Sequence, residues 1–407
     1  MNVYLCCLQS PNRWNIPSYG FWLRNFKPAL EEMGCRVFEP SNIDLAEPLA
    51  RCFDPDWLEH GRARLGEALL QAVKEAHRRF GIQLFFSYFY SAHVEPGILE
   101  AIRDLGIPVV NFFCDNLRQF ESVRPLARSV TLNWVPEREA LPLYRSLGAP
   151  ALHLAMGVHP GAYRVTGSGE LRQVTFVGSG DHLRMQLLEP VLETAIPLRI
   201  YGQGWGRQSP SGDRGPHTPG SPHEALREPP PLPWSWRRRL SARQHLRRLR
   251  DYGLAGEWRY FEARRMRARQ ASRFDGVSFP PLPHDDFVAV TARSAVTLGI
   301  NRCPHPGYPF SRPLVYSRLR DVEAPSMGAC YLTESCVDLE SMYDLGTEIE
   351  TYRDAEELVA KAEALLGDAP RRRGLRSAGR QAVLSRHTWG HRFRALFREL
   401  GLQDPLH

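Results

Sequence analysis

Short apolar runs alternate along the chain with longer stretches in which apolar residues recur every three or four positions. In the N-terminal part, the apolar runs predict six strands, at residues 3–8, 36–38, 82–88, 108–113, 130–134 and 151–154. The longer stretches predict helices at residues 21–33, 57–80, 97–105 and 138–147. Strands and amphipathic helices in alternation are typical of a parallel sheet with crossover helices. Ligands of such sheets bind beyond the carboxyl ends of the strands.

A second alternation of the same kind begins near residue 174. It predicts strands at residues 174–177, 198–201, 276–279, 296–300, 329–332 and 347–351. It predicts helices at residues 183–192, 284–292, 320–327, 355–366, 371–385 and 389–400. We therefore expect an N-terminal domain over residues 1–160 and a C-terminal domain over residues 161–387. The last helix, within residues 388–407, is expected to pack back on the first domain.

An arginine-rich insertion interrupts the second alternation at residues 205–273. Its first part is rich in proline, glycine and serine, and its second part predicts two helices joined near residues 253–256. Residues 227–273 hold fourteen arginines and four acidic residues, so this segment alone exceeds the net charge of +7 of the whole chain. Three interpretations stay open: a solvated helical hairpin, contact with an anionic membrane surface, or binding of a polyanion. Nucleic acid is the least favoured partner, because no fold signature for reading bases occurs.

Composition narrows the class of protein. The length of 407 residues suffices for two cores, and 43% hydrophobic with 24% charged residues is ordinary for a globular enzyme. No run of 18 apolar residues occurs, and the N-terminal segment lacks the basic leader of a signal peptide. The eight cysteines form no Cys-x-x-Cys pair, which is typical of proteins in a reducing compartment. We expect a cytoplasmic protein, with peripheral contact to the inner face of the membrane if the insertion binds lipid.

Glu323 is the most informative polar residue of the C-terminal part. It lies near the start of a predicted helix that ends at Gly328 before a buried strand. A carboxylate at such an edge can accept both hydroxyl protons of a ribose, and a helix N-terminus offers free backbone N–H groups to a diphosphate. The other interpretation is that Glu323 only complements the helix dipole. The residues alone leave both open.

Characteristic glycine, acidic and aromatic residues recur through the C-terminal part. They occupy residues 177–179, 184, 200–202, 204–205, 298–301, 320–324, 328–329, 338–340, 348–349, 352–354, 379–383, 387–389 and 392–393. In these segments the chain resembles group-one glycosyltransferases, most closely their CgeB-like (spore maturation protein) branch. The resemblance implies an α/β GT-B fold, in which two Rossmann-like domains face each other across a cleft. Many relatives carry a glutamate eight positions before the one matching Glu323, where this chain has Val315.

The resemblance also implies roles in binding a nucleotide-sugar donor. Glu323 would bind the ribose, with Ala324 beside it, and Arg184 would neutralise the diphosphate. The turn at Gly178 and Ser179 would approach the diphosphate, because glycine permits close backbone approach. Tyr201 and Gly202 would flank the base, and Asn301 would also contact the donor. For Arg184 the other interpretation is a solvated helix arginine.

The N-terminal part resembles the same branch more loosely and offers two candidate catalytic residues. Asp115 follows a predicted strand and could orient an acceptor hydroxyl or take its proton, or it could be a loop or helix-capping aspartate. His93 lies at the same sheet edge, although a lone histidine is more often structural. Tyr19 and Gly20 could form an acceptor-side loop or an ordinary connection.

We therefore predict a hexosyltransferase-type enzyme that uses a nucleotide-sugar as substrate and needs no cofactor and no metal. Asp285 and Asp286 are adjacent and are better explained by their position at a helix start than by metal binding. The resemblance favours retention of the anomeric configuration. The acceptor, whether glycan, lipid-linked or protein, is not identified. Two alternatives stay open: a catalytically silent module that binds sugar or polyanion, and a sugar-nucleotide epimerase.

Overall fold

The computed structural model describes residues 1–8, 21–52, 54–206 and 234–404. Tyr19 and Gly20, the predicted acceptor-side residues, lie outside these ranges. The chain divides into two compact units. Unit 1 contains the described residues of Met1–Ala155, Pro216–Gln244 and Trp389–His407, and unit 2 those of Met156–Gly215 and His245–Thr388.

Unit 1 is built on a parallel sheet of six strands in the order β2-β1-β3-β4-β5-β6. The strands are β1 (Asn2–Cys6), β2 (Arg36–Phe38), β3 (Leu84–Ser87), β4 (Val109–Phe112), β5 (Leu132–Val135) and β6 (Ala151–His153). The helices are α1 (Phe21–Glu32), α2 (Glu47–Ala50), α3 (Arg62–Phe80), α4 (Pro96–Arg103), α5 (Asn116–Gln119) and α6 (Leu141–Ser146). A π-helical turn, Trp57–Gly61, leads into α3.

The core of unit 1 is aromatic, and the last helix of the chain completes it. Helix α14 (Trp389–Glu399) packs against α1, where the rings of Trp389 and Phe26 have centroids 4.7 Å apart. Phe393 of α14 is fully buried against Phe86 and Trp134, at 5.3 and 5.6 Å. The final helix therefore supplies part of the core of the unit that the N-terminus begins.

Unit 2 is built on a second parallel sheet of six strands, in the order β14-β13-β10-β7-β8-β9. The strands are β7 (Leu171–Val177), β8 (Leu198–Tyr201), β9 (Ser278–Phe279), β10 (Ser294–Gly299), β13 (Tyr331–Glu334) and β14 (Glu350–Tyr352), and β11 (Arg302–Cys303) pairs antiparallel with β12 (Leu314–Val315). The helices are α7 (His182–Leu188), α8 (Trp234–Ala271), which belongs to unit 2 from His245 onward, α9 (His284–Arg293), α10 (Arg320–Ser326), α11 (Val337–Met342), α12 (Ala355–Gly367) and α13 (Ala369–Arg386).

The arginine-rich segment lies in the crossover between the neighbouring parallel strands β8 and β9. Gly253, at φ 65° and ψ −175°, interrupts α8, which confirms the predicted break between two helices. A side chain at this position would be strained, so glycine allows the chain to change direction there. Within the described ranges, no helix combines the length and apolar character needed to cross a membrane.

The buried ring of Phe393 gives a test of the last helix. We expect Phe393→Ala to lower the free energy of unfolding by about 3–5 kcal/mol, because a large ring is removed from a closed core. Urea denaturation measures this loss. Phe80→Ala is the matched control, since Phe80 is 38% exposed and should cost less. Equal losses from the two variants would contradict the packing described here.

Candidate functional site

The predicted donor-binding residues of unit 2 lie along one edge of its sheet. Gly178 follows the end of β7, Gly202 follows β8, and Asn301 lies two residues beyond β10. Because these strands are parallel, their carboxyl ends share an edge. Helix α10 runs back along the sheet before β13, so its first turn, with Glu323, begins at this same edge.

Two glycine turns pack backbone against backbone at this edge: the first, with Gly178 and Gly180, follows β7, and the second, with Gly202 and Gly204, follows β8. A Cβ atom on Gly202 would lie 2.1 Å from the carbonyl oxygen of Gly178, and one on Gly180 would lie 2.5 Å from that of Gly204. The Gly178 N–H donates to the Tyr201 carbonyl at 2.9 Å. No other residue type fits at Gly180 and Gly202, so glycine is required at both positions for the two turns to pack this closely.

Arg184 stabilises the first glycine turn by hydrogen bonding to its backbone. It is nearly buried, and its Nη1 donates to the carbonyl oxygen of Ser179 at 2.8 Å. The Asp181 carboxylate accepts hydrogen bonds from the N–H groups of Leu183 and Arg184, both at 3.0 Å, and lies 3.5 Å from Arg184 Nε. Arg184 is thus a positioned arginine under the turn and not a solvated one, and Ser179 is exposed above it.

A second arginine, which sequence reasoning missed, approaches the other turn. Arg267 of α8 places Nη1 3.5 Å from the position that a Cβ atom on Gly204 would take. Its side chain is exposed, and within the described part of the chain it has no acidic partner. No local sequence pattern links this helix to the glycine turn, and the folded structure brings the guanidinium there.

Glu323 is held by two side chains. Its Oε1 accepts a hydrogen bond from the Tyr163 hydroxyl at 2.6 Å, and its Oε2 lies 3.1 Å from Nη1 of Arg320. The Arg320 guanidinium lies over the ring of Phe287, 4.2 Å from the centroid. Glu323 is 6% exposed. The carboxylate is therefore oriented and charge-balanced at the edge of the sheet.

Three of the N–H groups expected to be free at the start of α10 are hydrogen-bonded within the chain. The N–H of Asp321 donates to the carbonyl of Arg318, and those of Val322 and Glu323 both donate to Leu319, at 2.9–3.0 Å. A turn precedes the helix and supplies these carbonyl groups. The first turn of α10 therefore presents the Glu323 side chain, and the N–H groups of residues 321–323 are already engaged.

Asn301 lies in a buried polar network. Its N–H donates to Glu334 Oε2 at 3.1 Å, and its Nδ2 donates to the Glu334 carbonyl at 2.9 Å. Beneath it, the buried Asp321 carboxylate accepts hydrogen bonds from Tyr331 and Thr333, at 2.8 and 3.0 Å. Burial raises the pKa of Asp321. The network fixes Asn301 at the end of β10, and its contact with a donor stays a prediction.

The remaining predicted donor residues border these groups. Tyr201 is half-buried and stacks on Phe279 of β9, with ring centroids 5.3 Å apart. Ala324 is fully buried behind Glu323. Tyr201 thus presents an aromatic surface at the carboxyl end of β8. Ala324 is buried and contributes only to the packing of α10.

In unit 1, Asp115 follows β4 in a left-handed conformation, at φ 72°. Its N–H donates to Glu137 Oε1 at 2.6 Å, and Nδ2 of Asn116 donates to Glu137 Oε2 at 2.6 Å. The Tyr144 hydroxyl donates to Asn116 Oδ1 at 2.6 Å. Such strained residues occur preferentially at functional sites. Sequence reasoning missed Glu137, which holds this turn.

The side chain of Asp115 makes no capping hydrogen bond to α5. It is 34% exposed and lies 3.5 Å from Nη1 of Arg118. The capping alternative therefore lacks support, and the carboxylate stands accessible at the sheet edge of unit 1.

His93 is fully buried in the same unit. Its Nδ1 accepts a hydrogen bond from the Tyr90 N–H at 3.1 Å, and its Nε2 lies 3.1 Å from the carbonyl oxygen of Leu45. Burial lowers the pKa of His93 to about 4, so the ring is neutral. Both nitrogens are engaged, which favours the structural interpretation that the sequence left open.

Comparisons with known proteins agree with this architecture. Residues 237–398 match the family model described as glycosyl transferase-like. No curated protein matches the chain. Among solved structures, the sucrose-phosphate synthase of Thermosynechococcus elongatus has a TM-score of 0.52 and 13% identity, over 98% of this chain and 99% of that one.

Two further structures are similar over nearly their full length. HepE of Anabaena, in complex with UDP and glucose, has a TM-score of 0.53 and 11% identity, over 98% of this chain and 99% of that one. A glycosyltransferase of Rickettsia africae has a TM-score of 0.52 and 9% identity, over 98% and 96%. The chain has the GT-B fold. The predicted fold class is confirmed.

Glu137 generates a pH prediction. Burial raises its pKa from the ordinary 4.5 to about 7. The folded chain therefore keeps a proton that the unfolded chain has lost between these pH values, and the stability from Glu137 is complete below pH 4.5 and is lost as the pH rises through 7. We expect Glu137→Gln to remove this dependence, which amounts to up to about 3 kcal/mol.

Urea denaturation across this pH range measures the effect. Glu139→Gln is the matched control, since Glu139 is exposed two residues away, and it should keep the pH dependence of the parent chain. Parallel pH profiles for the parent and Glu137→Gln would show that the carboxyl group is not buried as described.

Proposed function

We propose that this chain is a metal-independent glycosyltransferase that moves a sugar from a nucleoside-diphosphate sugar to an acceptor hydroxyl. Unit 2 binds the donor and unit 1 the acceptor. The observation that carries this proposal is the Glu323 carboxylate, held by Tyr163 and Arg320 at the sheet edge of the glycine turns. The glycosyl transferase-like match and the GT-B fold support it.

Glu323 binds the ribose of the donor in this proposal. A carboxylate has about four lone-pair sites, so one bond from Tyr163 and one ion pair with Arg320 leave acceptors for the two ribose hydroxyl groups. Tyr201 lies against the base. We propose UDP as the nucleotide, because solved structures of the similar HepE protein hold UDP with glucose, or UDP-glucose.

The diphosphate lies against the glycine turns, between Arg184 and Arg267. When the bond between the anomeric carbon and the diphosphate breaks, negative charge develops on the leaving oxygen. Fixed guanidinium groups stabilise this charge without a metal ion. The acceptor oxygen bonds to the anomeric carbon on the same face, and its proton passes to the leaving phosphate oxygen. Asp115 orients the acceptor hydroxyl.

Several finer features of the proposal rest on sequence motifs. They are membership of the CgeB-like branch, transfer of a hexose, and retention of configuration. The epimerase and silent-module alternatives predict different products, since an epimerase interconverts donor sugars and a silent module leaves the donor intact. Incubating the chain with UDP-sugars and following free UDP and sugar identity separates the three.

Nucleotide binding tests the ribose assignment. We expect UDP or a UDP-sugar to raise the melting temperature of the parent chain, because a ligand that binds only the folded state stabilises it. Glu323→Ala should abolish that rise. Glu340→Ala is the matched control, since Glu340 is exposed on α11 in the same unit, and should respond like the parent.

Three outcomes count against the proposal. No rise with uridine, guanosine, adenosine or thymidine diphosphate sugars would refute donor binding. An equal rise in Glu323→Ala would refute its role at the ribose. Sugar transfer that stops when EDTA is added and returns with a divalent cation would refute metal independence.

Arg267 gives a second test of the donor site. Because a guanidinium bonded to phosphate contributes more than a neutral hydrogen bond, we expect Arg267→Gln to weaken UDP binding about tenfold or more. Isothermal titration calorimetry measures this change. Arg264→Gln, one helical turn away and exposed, should bind UDP like the parent. Equal affinities of the two variants for UDP would show that Arg267 does not contact the diphosphate.

A further inference from the structure

One face of α8 exposes large hydrophobic side chains next to arginines. Leu254, Trp258 and Phe261 are 82, 70 and 51% exposed. They follow one another at four- and three-residue spacing, and Arg265 and Arg269 continue the series at four-residue spacing. Residues spaced in this way lie on one side of a helix. We call these five residues the outer face of α8.

The opposite side of α8 is the side that packs on unit 2. Ala263 and Gly256 are buried there, and Nη1 of Arg259 donates to the carbonyl oxygen of Gly307 at 3.4 Å. Arg267, which approaches Gly204, also points this way. The outer face therefore turns away from unit 2, and the exposure of its residues does not come from a detached helix.

The exposed large hydrophobic side chains of the described residues are concentrated on α8. Among the described residues, nine large hydrophobic side chains are exposed, and four of them belong to α8, with Leu246 joining the three of the outer face. Phe261 is in addition stacked on His245, at 5.3 Å between ring centroids, which ties the two halves of α8 together. Clusters of exposed apolar side chains mark interaction surfaces, whereas single ones do not.

The charge beside these side chains is positive and unbalanced. Arg248 and Arg250, before the Gly253 break, pair with Glu257 and Asp251. After the break, Arg265 and Arg269 have no acidic partner among the residues that the structure describes, and Glu262 is the single acidic residue between positions 258 and 274. The occupant of the outer face must therefore accept apolar side chains and carry negative charge.

We propose that the outer face of α8 docks on an anionic lipid bilayer. Leu254, Trp258 and Phe261 enter the interface between headgroups and acyl chains, and Arg265 and Arg269 pair with lipid phosphates. A bilayer meets both requirements at once. This inference does not depend on the activity proposed above, since it uses none of the donor-site residues.

Co-sedimentation of the full chain with vesicles tests the proposal. We expect binding to phosphatidylcholine vesicles that contain about 30% phosphatidylglycerol, and little binding to phosphatidylcholine alone, because each arginine near an anionic surface contributes about a fivefold gain in affinity. Leu254→Ser with Trp258→Ser should lower the affinity by at least about tenfold, since two apolar side chains no longer leave water. Arg265→Gln with Arg269→Gln should lower it for the anionic vesicles and remove most of its salt dependence.

Val337→Ser is the matched control, because Val337 is 68% exposed on α11 and lies outside the outer face. It should bind vesicles like the parent, and unchanged urea midpoints show that all variants are folded. Equal binding of parent and Leu254→Ser with Trp258→Ser overturns the proposal, as does equal binding to both vesicle types. Self-association or oligonucleotide binding that depends on the outer face, without vesicle binding, assigns the face to another occupant and also overturns it.

Discussion

The close contact between two backbone turns is the constraint on which the rest of unit 2 depends. Gly202 approaches the carbonyl oxygen of Gly178 so closely that no side chain fits between them. This contact joins the carboxyl ends of β7 and β8. Trp205 strengthens it by donating its indole N–H to the Gly178 carbonyl at 2.7 Å. Arg184 donates a hydrogen bond to the carbonyl oxygen of Ser179 in the first turn, and Nη1 of Arg267 approaches Gly204 in the second.

The two units place their buried carboxylates in different electrostatic surroundings. Glu323 has the Arg320 cation beside it, so its charge is compensated within the protein. Glu137 is surrounded by uncharged N–H donors, and burial favours its protonated form. The first arrangement suits a residue that must accept ligand hydroxyl groups as a carboxylate. The second suits a residue that stabilises a strained turn, as Glu137 does for Asp115.

Sequence patterns were sufficient for the sheets and insufficient for the contacts around the sites. Parallel strands buried on both faces leave continuous apolar runs, and the predicted runs coincide with most observed strands. The hydrogen bond from Tyr163 to Glu323 spans 160 positions, so no local pattern could indicate it. The left-handed Asp115 gave no signal either, because glycine is the residue expected in that conformation. Short elements such as β11 and β12 hold too few residues to show a period.

The position of α8 has a consequence for how such a protein can diversify. A crossover between two adjacent strands of a sheet can lengthen without changing their register, because β8 and β9 still meet at the same residues. Helix α8 lies in this crossover and carries Arg267 on the side of the glycine turns and Arg265 and Arg269 on its outer face. New surface chemistry can thus evolve in this connection while the sheet that carries the glycine turns keeps its pairing.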